Sequence, residues 1–177
     1  MNIFAVHESP YVAAQQLCDK HVVKMIVEGC QMLSTIHRMS SSHVVYAPVE
    51  LYKSCFENHP CTIWARKTTE NYYWLANHTL ELSREYSYRY SGKIHKSHDM
   101  CVWFSQHVPC RVPYGELMQF AQAMPDKYKD QSSVIAYRKY YVNEKMRFAK
   151  WKYSEKPEWI DDENLKVNDV PMQVLQS

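Results

Sequence analysis

The run CDKHVVKMIVEGCQMLST, residues 18–35, decides the fold class. In and around it, apolar residues recur at helical spacing. Ala14, Leu17, Cys18, Val22, Met25, Ile26, Leu33 and Ile36 form one stripe of a helix expected from about 11 to 38. Ser9-Pro10 gives that helix a start, with a capping hydroxyl followed by a residue whose missing N–H is no loss there. Gly29 is expected to weaken it locally. On the polar side His21, Lys24 and Glu28 stand at i, i+3 and i+7 and so share a face, with Asp19 just before them. A histidine, a lysine and a carboxylate held together suit general acid–base work, and a lysine among charges can become a nucleophilic amine. The same spacing also suits a plain surface pair of Lys24 and Glu28.

Outward from this segment, residues 1–6, MNIFAV, are short and apolar and read as a strand or an extended arm. A serine run and Pro48 make 40–59 a loop with one extended piece at 43–46. Pro60 opens a second helical region to about 90, with a bend near Thr68-Thr69, and a short third helix fits 98–107. Pro109, Pro113, Gly115 and Pro125 make 108–131 irregular, with a helical turn near 115–123. A last helix is expected over about 132–150. With only 3 glycines the chain is poorly supplied for a turn-rich β architecture. The expectation is a mainly α, compact, single-domain fold over 1–152, with a short N-terminal strand or arm. Residues 153–177 are expected to be a loosely packed acidic C-terminal tail, six acids against two bases.

The net charge of +2 is unremarkable, but its distribution is uneven. Between 138 and 152, six basic residues stand against Glu144 alone. A basic helix face suits phosphates, and equally an ordinary solvated surface. The six cysteines contain no C-x-x-C, and no apolar run is long enough to span a bilayer. Reduced thiols in a cytoplasm are the simplest reading.

Other segments carry polar groups in unusual places. In NHPCTIWAR, 58–66, His59 and Arg66 could meet a phosphate at a helix start, or His59-Pro60 could merely cap the helix while Trp64 fills core. Asn71, His78, Glu85 and Arg89 fall along one line of the second helix and suggest a polar cleft, ending in a basic corner of Arg89, Lys93, His95 and Lys96. In FAQAMPDKYK, 120–129, Gln122 and Asp126 suit reading a base edge or holding a loop. The last helix mixes Arg138 and Lys145 with Tyr137, Tyr140, Tyr141 and Phe148. Aromatics stack on bases and cations neutralise phosphates, although Tyr137, Tyr141 and Phe148 equally read as an inward stripe. The H-x-E and P-C-x-x-C of a zinc deaminase are missing, and Cys18, His21, His59 and Cys61 make only weak halves of a zinc site. There is no Gly-rich phosphate loop.

The strings CDKHVVKMIVEGCQMLST, NHPCTIWAR, EYSYRYSGK, FAQAMPDKYK and AYRKYYVNEKMRFAKW resemble a family of uncharacterised proteins of tailed phages, cyanophages included, over nearly all of 1–152. More remotely, the layout is similar to the pyrimidine-dimer DNA glycosylases of the phage endonuclease V type. Those compact helical enzymes carry D-x-H near a helix start and a catalytic Glu nine residues after the Asp. Asp19, His21 and Glu28 keep that spacing. His59-Pro60, and later Glu85 with Arg89-Tyr90, match further parts of the layout. The resemblance implies an N-terminal α-amine that attacks C1′ of a damaged nucleotide, a Schiff base, a Glu28 that stabilises the charged sugar and moves protons, and strand nicking by β-elimination on kinked, base-flipped DNA. α-Amines titrate near neutrality, which suits them to the task. Two departures stand out. Residue 2 is Asn, which is expected to hinder Met removal and leave the amine on Met1, and the stretch before Asp19 is longer. Lys24 could then replace the terminal amine, as in lysine-type lyases.

The sequence therefore predicts a glycosylase/lyase-like enzyme acting on damaged or modified pyrimidines. Glu28, Lys24, Met1 and His21 are its catalytic candidates. Asp19, His59, Arg66, Asn71, His78, Arg89, Lys93, Gln122, Arg138, Tyr141 and Lys145 are its nucleic-acid or nucleotide-binding candidates. No metal or cofactor is required. The expected partner is DNA or a nucleotide, with no membrane, and the expected location is the cytoplasm of an infected bacterial host. Two other readings stay open: a non-catalytic phage protein that binds a nucleotide or host factor to counter host defence, and an enzyme that alters phage DNA bases without cutting.

Overall fold

The first long helix is broken where its sequence looked continuous. α1 runs Pro10–Gln16, Leu17 and Cys18 are extended, and α2 runs Asp19–Met39. A break exposes backbone groups that a continuous helix would pair. Here tertiary partners take them. Arg89 binds the carbonyls of Gln15 and Leu17, the Tyr141 hydroxyl accepts from the Cys18 N–H, and the Lys150 carbonyl accepts from the Asp19 N–H. These contacts lie 70 or more residues away, so helical periodicity could not register them.

The computed structural model describes residues 1–40, 47 and 50–167; the extended piece expected at 43–46 lies outside them. Among the described residues there is no strand, so the N-terminal segment is an arm and the strand alternative is overturned. The arm satisfies its own backbone. Asn2 Oδ1 accepts from the N–H of Ile3 and Phe4, and the Val6 N–H turns back to the Phe4 carbonyl. Asn2 Nδ2 pins the arm to the Ala123 carbonyl at 2.9 Å.

Pro60 does open a helix, but the region to 90 is two helices rather than one bent one. α3 runs Pro60–Ala65 and α4 runs Thr69–Arg89, with the Thr68 hydroxyl accepting from the Asn71 N–H. α2 packs along α4, and α1 against α4. Gly29 sets the α2–α4 approach: a Cβ there would stand 2.3 Å from Thr79 Oγ1. At this position the missing side chain allows the close packing. α5, His98–Gln106, covers another side of α4 and brings Cys101 Sγ to 3.4 Å from Cys30 Sγ, both thiols free.

No helical turn forms at 115–123. That segment is extended because the start of α4 uses it: Thr69 and Glu70 donate to the carbonyls of Pro113 and Gly115, and Asn71 Oδ1 accepts from the Met118 N–H. The turn comes later, at Asp126–Tyr128. α6, Ser133–Glu144, is shorter than the expected 132–150. The tail beyond 152 is held as far as the description goes. Short 3-10 turns at Glu158–Asp161 and Glu163–Leu165 bury Ile160 and Leu165, and Asn143 bonds the Leu165 carbonyl and the Val167 N–H. Among the described residues, no helix is long and apolar enough to cross a membrane.

Candidate active site

The arm lies across α2 and brings the chain's first atoms onto Glu28. The Met1 amine stands 3.8 Å from Glu28 Oε2, and the Asn2 N–H donates to the same oxygen at 3.0 Å. Lys24, one turn earlier on α2, reaches Glu28 Oε1 at 3.1 Å. One carboxylate thus carries an α-amine on one oxygen and an ε-amine on the other. Glu28 is only 13% exposed, whereas Lys24 is 64% exposed. The carboxylate is therefore shielded, while Lys24 stands at the surface.

Beside this cluster lies a hollow of about 290 Å³. Its floor is aromatic. Phe4 stacks on His21 with centroids 4.4 Å apart and runs parallel to Tyr140 at 6.2 Å, and Phe148 meets His21 edge-on. Its rim is cationic: Lys20 over Phe148, Lys24, and Lys145 bonded to the Tyr140 hydroxyl at 3.0 Å. Phe4 holds its place in a left-handed backbone conformation, φ 41°. That costs a non-glycine residue roughly 1–2 kcal/mol, which the packing of its ring offsets.

His21 is 5% exposed and shares a 2.8 Å hydrogen bond with the Tyr141 hydroxyl through Nδ1. Burial above all, and then Lys145, Lys24 and Lys20, push its pKa down to about 3. Its ring is neutral at neutral pH and offers a hydrogen bond rather than a titrating charge. His59 sits behind the arm, half-buried. Its Nδ1 accepts from the Cys61 N–H at 3.2 Å as the α3 cap. Burial, then the charged amino terminus, lower its pKa, with Glu28 opposing.

The other residues singled out in the sequence are dispersed. Asp19 is buried and joins Arg89 at 3.0 Å and the Lys152 N–H at 2.8 Å. Arg89, whose side chain is fully buried, also binds Glu85 at 2.7 Å. The expected polar cleft along Asn71, His78, Glu85 and Arg89 is closed, every member being buried. The polar line is the inner seam of α4 instead. Asn71 ties Trp64 to Met118, and His78 stacks on Trp74 and bonds the Pro10 carbonyl. Arg66 is at the far end of α3 from His59 and donates to the Glu57 carbonyl, so the two do not share a helix start. Gln122 closes a loop through both backbone groups of Asp130. Arg138 donates to the Val6 carbonyl and lies over Trp159, away from the hollow. Lys93 is exposed past the end of α4. Tyr137 and Tyr141 point inward, as an apolar stripe would, while Phe148 is half-buried at the hollow.

Met1, Lys24, Glu28, His21 and Lys145 are therefore brought together, and Tyr141 supports His21 from below. Sequence reading missed Asn2, Phe4 and Lys20. Lys20 had a signal, being four residues before Lys24 on the same face. Phe4 had none, because its position depends on a backbone conformation the residue type disfavours. Among the described residues, no three of His, Cys, Asp or Glu are grouped as metal ligands. His21 and His59 each commit Nδ1 elsewhere.

A family model described as pyrimidine dimer DNA glycosylase matches residues 1–100. No curated protein and no solved structure matches the chain. The match spans the arm and α1 to α4, including Met1, Lys24, Glu28 and His59. Tyr140, Lys145 and Phe148, which close the far side of the hollow, follow the matched segment. The chain belongs to the pyrimidine dimer DNA glycosylase family.

Proposed function

We propose that this member of the pyrimidine dimer DNA glycosylase family removes a damaged or modified pyrimidine and nicks the strand through a Schiff base on the Met1 α-amine. The observation that carries the reading is the α-amine and Lys24 converging on Glu28 beside an aromatic-floored, lysine-rimmed hollow. The unprotonated amine attacks C1′ as the base departs. Ring opening leaves an iminium ion, whose positive charge the Glu28 carboxylate faces. Loss of a C2′ proton, with Glu28 within reach to accept it, expels the 3′ phosphate, and water then releases the enzyme. Lys20, Lys24 and Lys145 attract the phosphates that flank the nucleotide, and Phe4, Tyr140 and Phe148 supply surface for an unstacked base.

Two substrates test this: UV-irradiated duplex DNA, and duplex with one abasic site. The reading predicts nicking of both, and roughly a hundredfold or greater loss of rate in Glu28→Gln, the scale of a removed acid–base group. Nicking that survives Glu28→Gln unchanged would overturn it. Tight nucleotide binding with no nicking would favour a non-catalytic binding role.

A further inference from the structure

Two amines reach Glu28, and one of them stands at a chain end, where a residue is poorly held unless the fold ties it down. We propose that Asn2 is a positioning residue: its side chain ties the arm to the rest of the fold and so holds the Met1 α-amine over Glu28. Asn2 is buried, and both polar atoms of its side chain are committed within the protein. Oδ1 accepts from the Ile3 N–H at 2.7 Å and the Phe4 N–H at 3.1 Å, which closes the arm on itself. Nδ2 donates to the Ala123 carbonyl at 2.9 Å, across 121 residues of chain. The segment that offers this carbonyl is itself braced. The Tyr137 hydroxyl and the Ala123 N–H both donate to the Ala121 carbonyl, and Gln122 clasps both backbone groups of Asp130. The backbone N–H of Asn2 meets Glu28 Oε2 at 3.0 Å, so residue 2 is fixed by its side chain and by the carboxylate together. One residue back, the α-amine stands 3.8 Å from the same oxygen. The arrangement needs an acceptor and a donor on one short side chain, which asparagine supplies and aspartate or leucine does not. Because those atoms are spent inside the protein, Asn2 acts on the reaction through Met1 and Glu28.

The inference rests on the Schiff-base reading, and the experiment separates the two. Asn2→Leu is uncharged, close in size and lacks both hydrogen-bonding atoms. It is compared with the wild type as folded protein whose intact mass retains Met1. Affinity for abasic duplex should be unchanged, because the lysines around the hollow are untouched. The rate of borohydride-trapped adduct formation at saturating DNA should fall about tenfold, the loss expected when a reacting group is let out of position. Acylation of the Met1 amine, measured against that of Lys24 in the same sample, should become several-fold faster as the terminus is freed. Acylation needs no DNA, so it tests the tether even if the wild-type protein forms no adduct, a failure that would count against the Schiff-base reading alone. In folded Asn2→Leu protein, Met1 acylation at the wild-type rate, or trapping at the rate of an active wild type, would overturn the proposal. Should that variant unfold, Asn2→Asp decides. It keeps the acceptor for Ile3 and Phe4 but sets an oxygen against the Ala123 carbonyl. Faster acylation of Met1 there supports the tether, and the wild-type rate contradicts it.

Discussion

At the scale of single residues, spacing told most about the groups that share α2. Lys24 and Glu28, four apart, meet in space as the sequence predicts. That the arm would add Met1 to them was legible only through the family resemblance, since no local pattern says where an arm lies. His21 shows how environment changes a residue's meaning. Its pKa, lowered to about 3 from 6.5, makes the charged ring incompatible with the fold. The unfolded chain therefore binds more protons between those values, so the stability His21 allows is complete above about pH 6.5 and is lost as pH falls toward 3. At about 1.4 kcal/mol per unit, the loss reaches about 2 kcal/mol by pH 5. Urea unfolding followed from pH 7 to pH 5 should show that decline, and His21→Gln should flatten it. Equal slopes in the two proteins would refute the assignment.

At the scale of elements, helix existence was readable and helix ends were not. Periodicity found α2, α4, α5 and α6, because each buries an apolar stripe. It missed the early end of α6, and it missed the Leu17-Cys18 break, which depends on contacts with distant residues. The buried Arg89 guanidinium holds that break together with Asp19 and Glu85. Arg89→Met leaves two carboxylates in the interior without a cation, so it should cost about 3–5 kcal/mol in chemical denaturation. A loss below about 1 kcal/mol would mean the network is solvated and dispensable. The α2–α4 contact gives a second test. Gly29→Ala drives a methyl into Thr79 and should destabilise by about 1–3 kcal/mol, although alanine is the better helix former. Thr79→Ala should recover part of that loss, because the crowding atoms are removed together. Strictly additive effects would show that the two positions are uncoupled.

At the scale of the molecule, the net charge of +2 says little, whereas three lysines around one hollow say more. If they meet phosphates, duplex affinity should fall with salt, and each of Lys20→Ala and Lys145→Ala should reduce the log–log slope by about 1. A slope unchanged in both variants would put the DNA elsewhere. The fold class was legible as a whole because few glycines and long amphipathic runs leave little else to build. The site was legible in half: the residues on α2 stood out, but the far wall of Tyr140, Lys145 and Phe148 belongs to a segment whose facing only the folded chain fixes. In the proposed reaction the α-amine beside Glu28 is the reacting nitrogen. The most direct test is peptide mapping of the borohydride-reduced adduct with abasic DNA. A sugar remnant on the nitrogen of Met1 is the expected product. A remnant on Lys24 Nζ, or no covalent product at all, would contradict the proposed reaction.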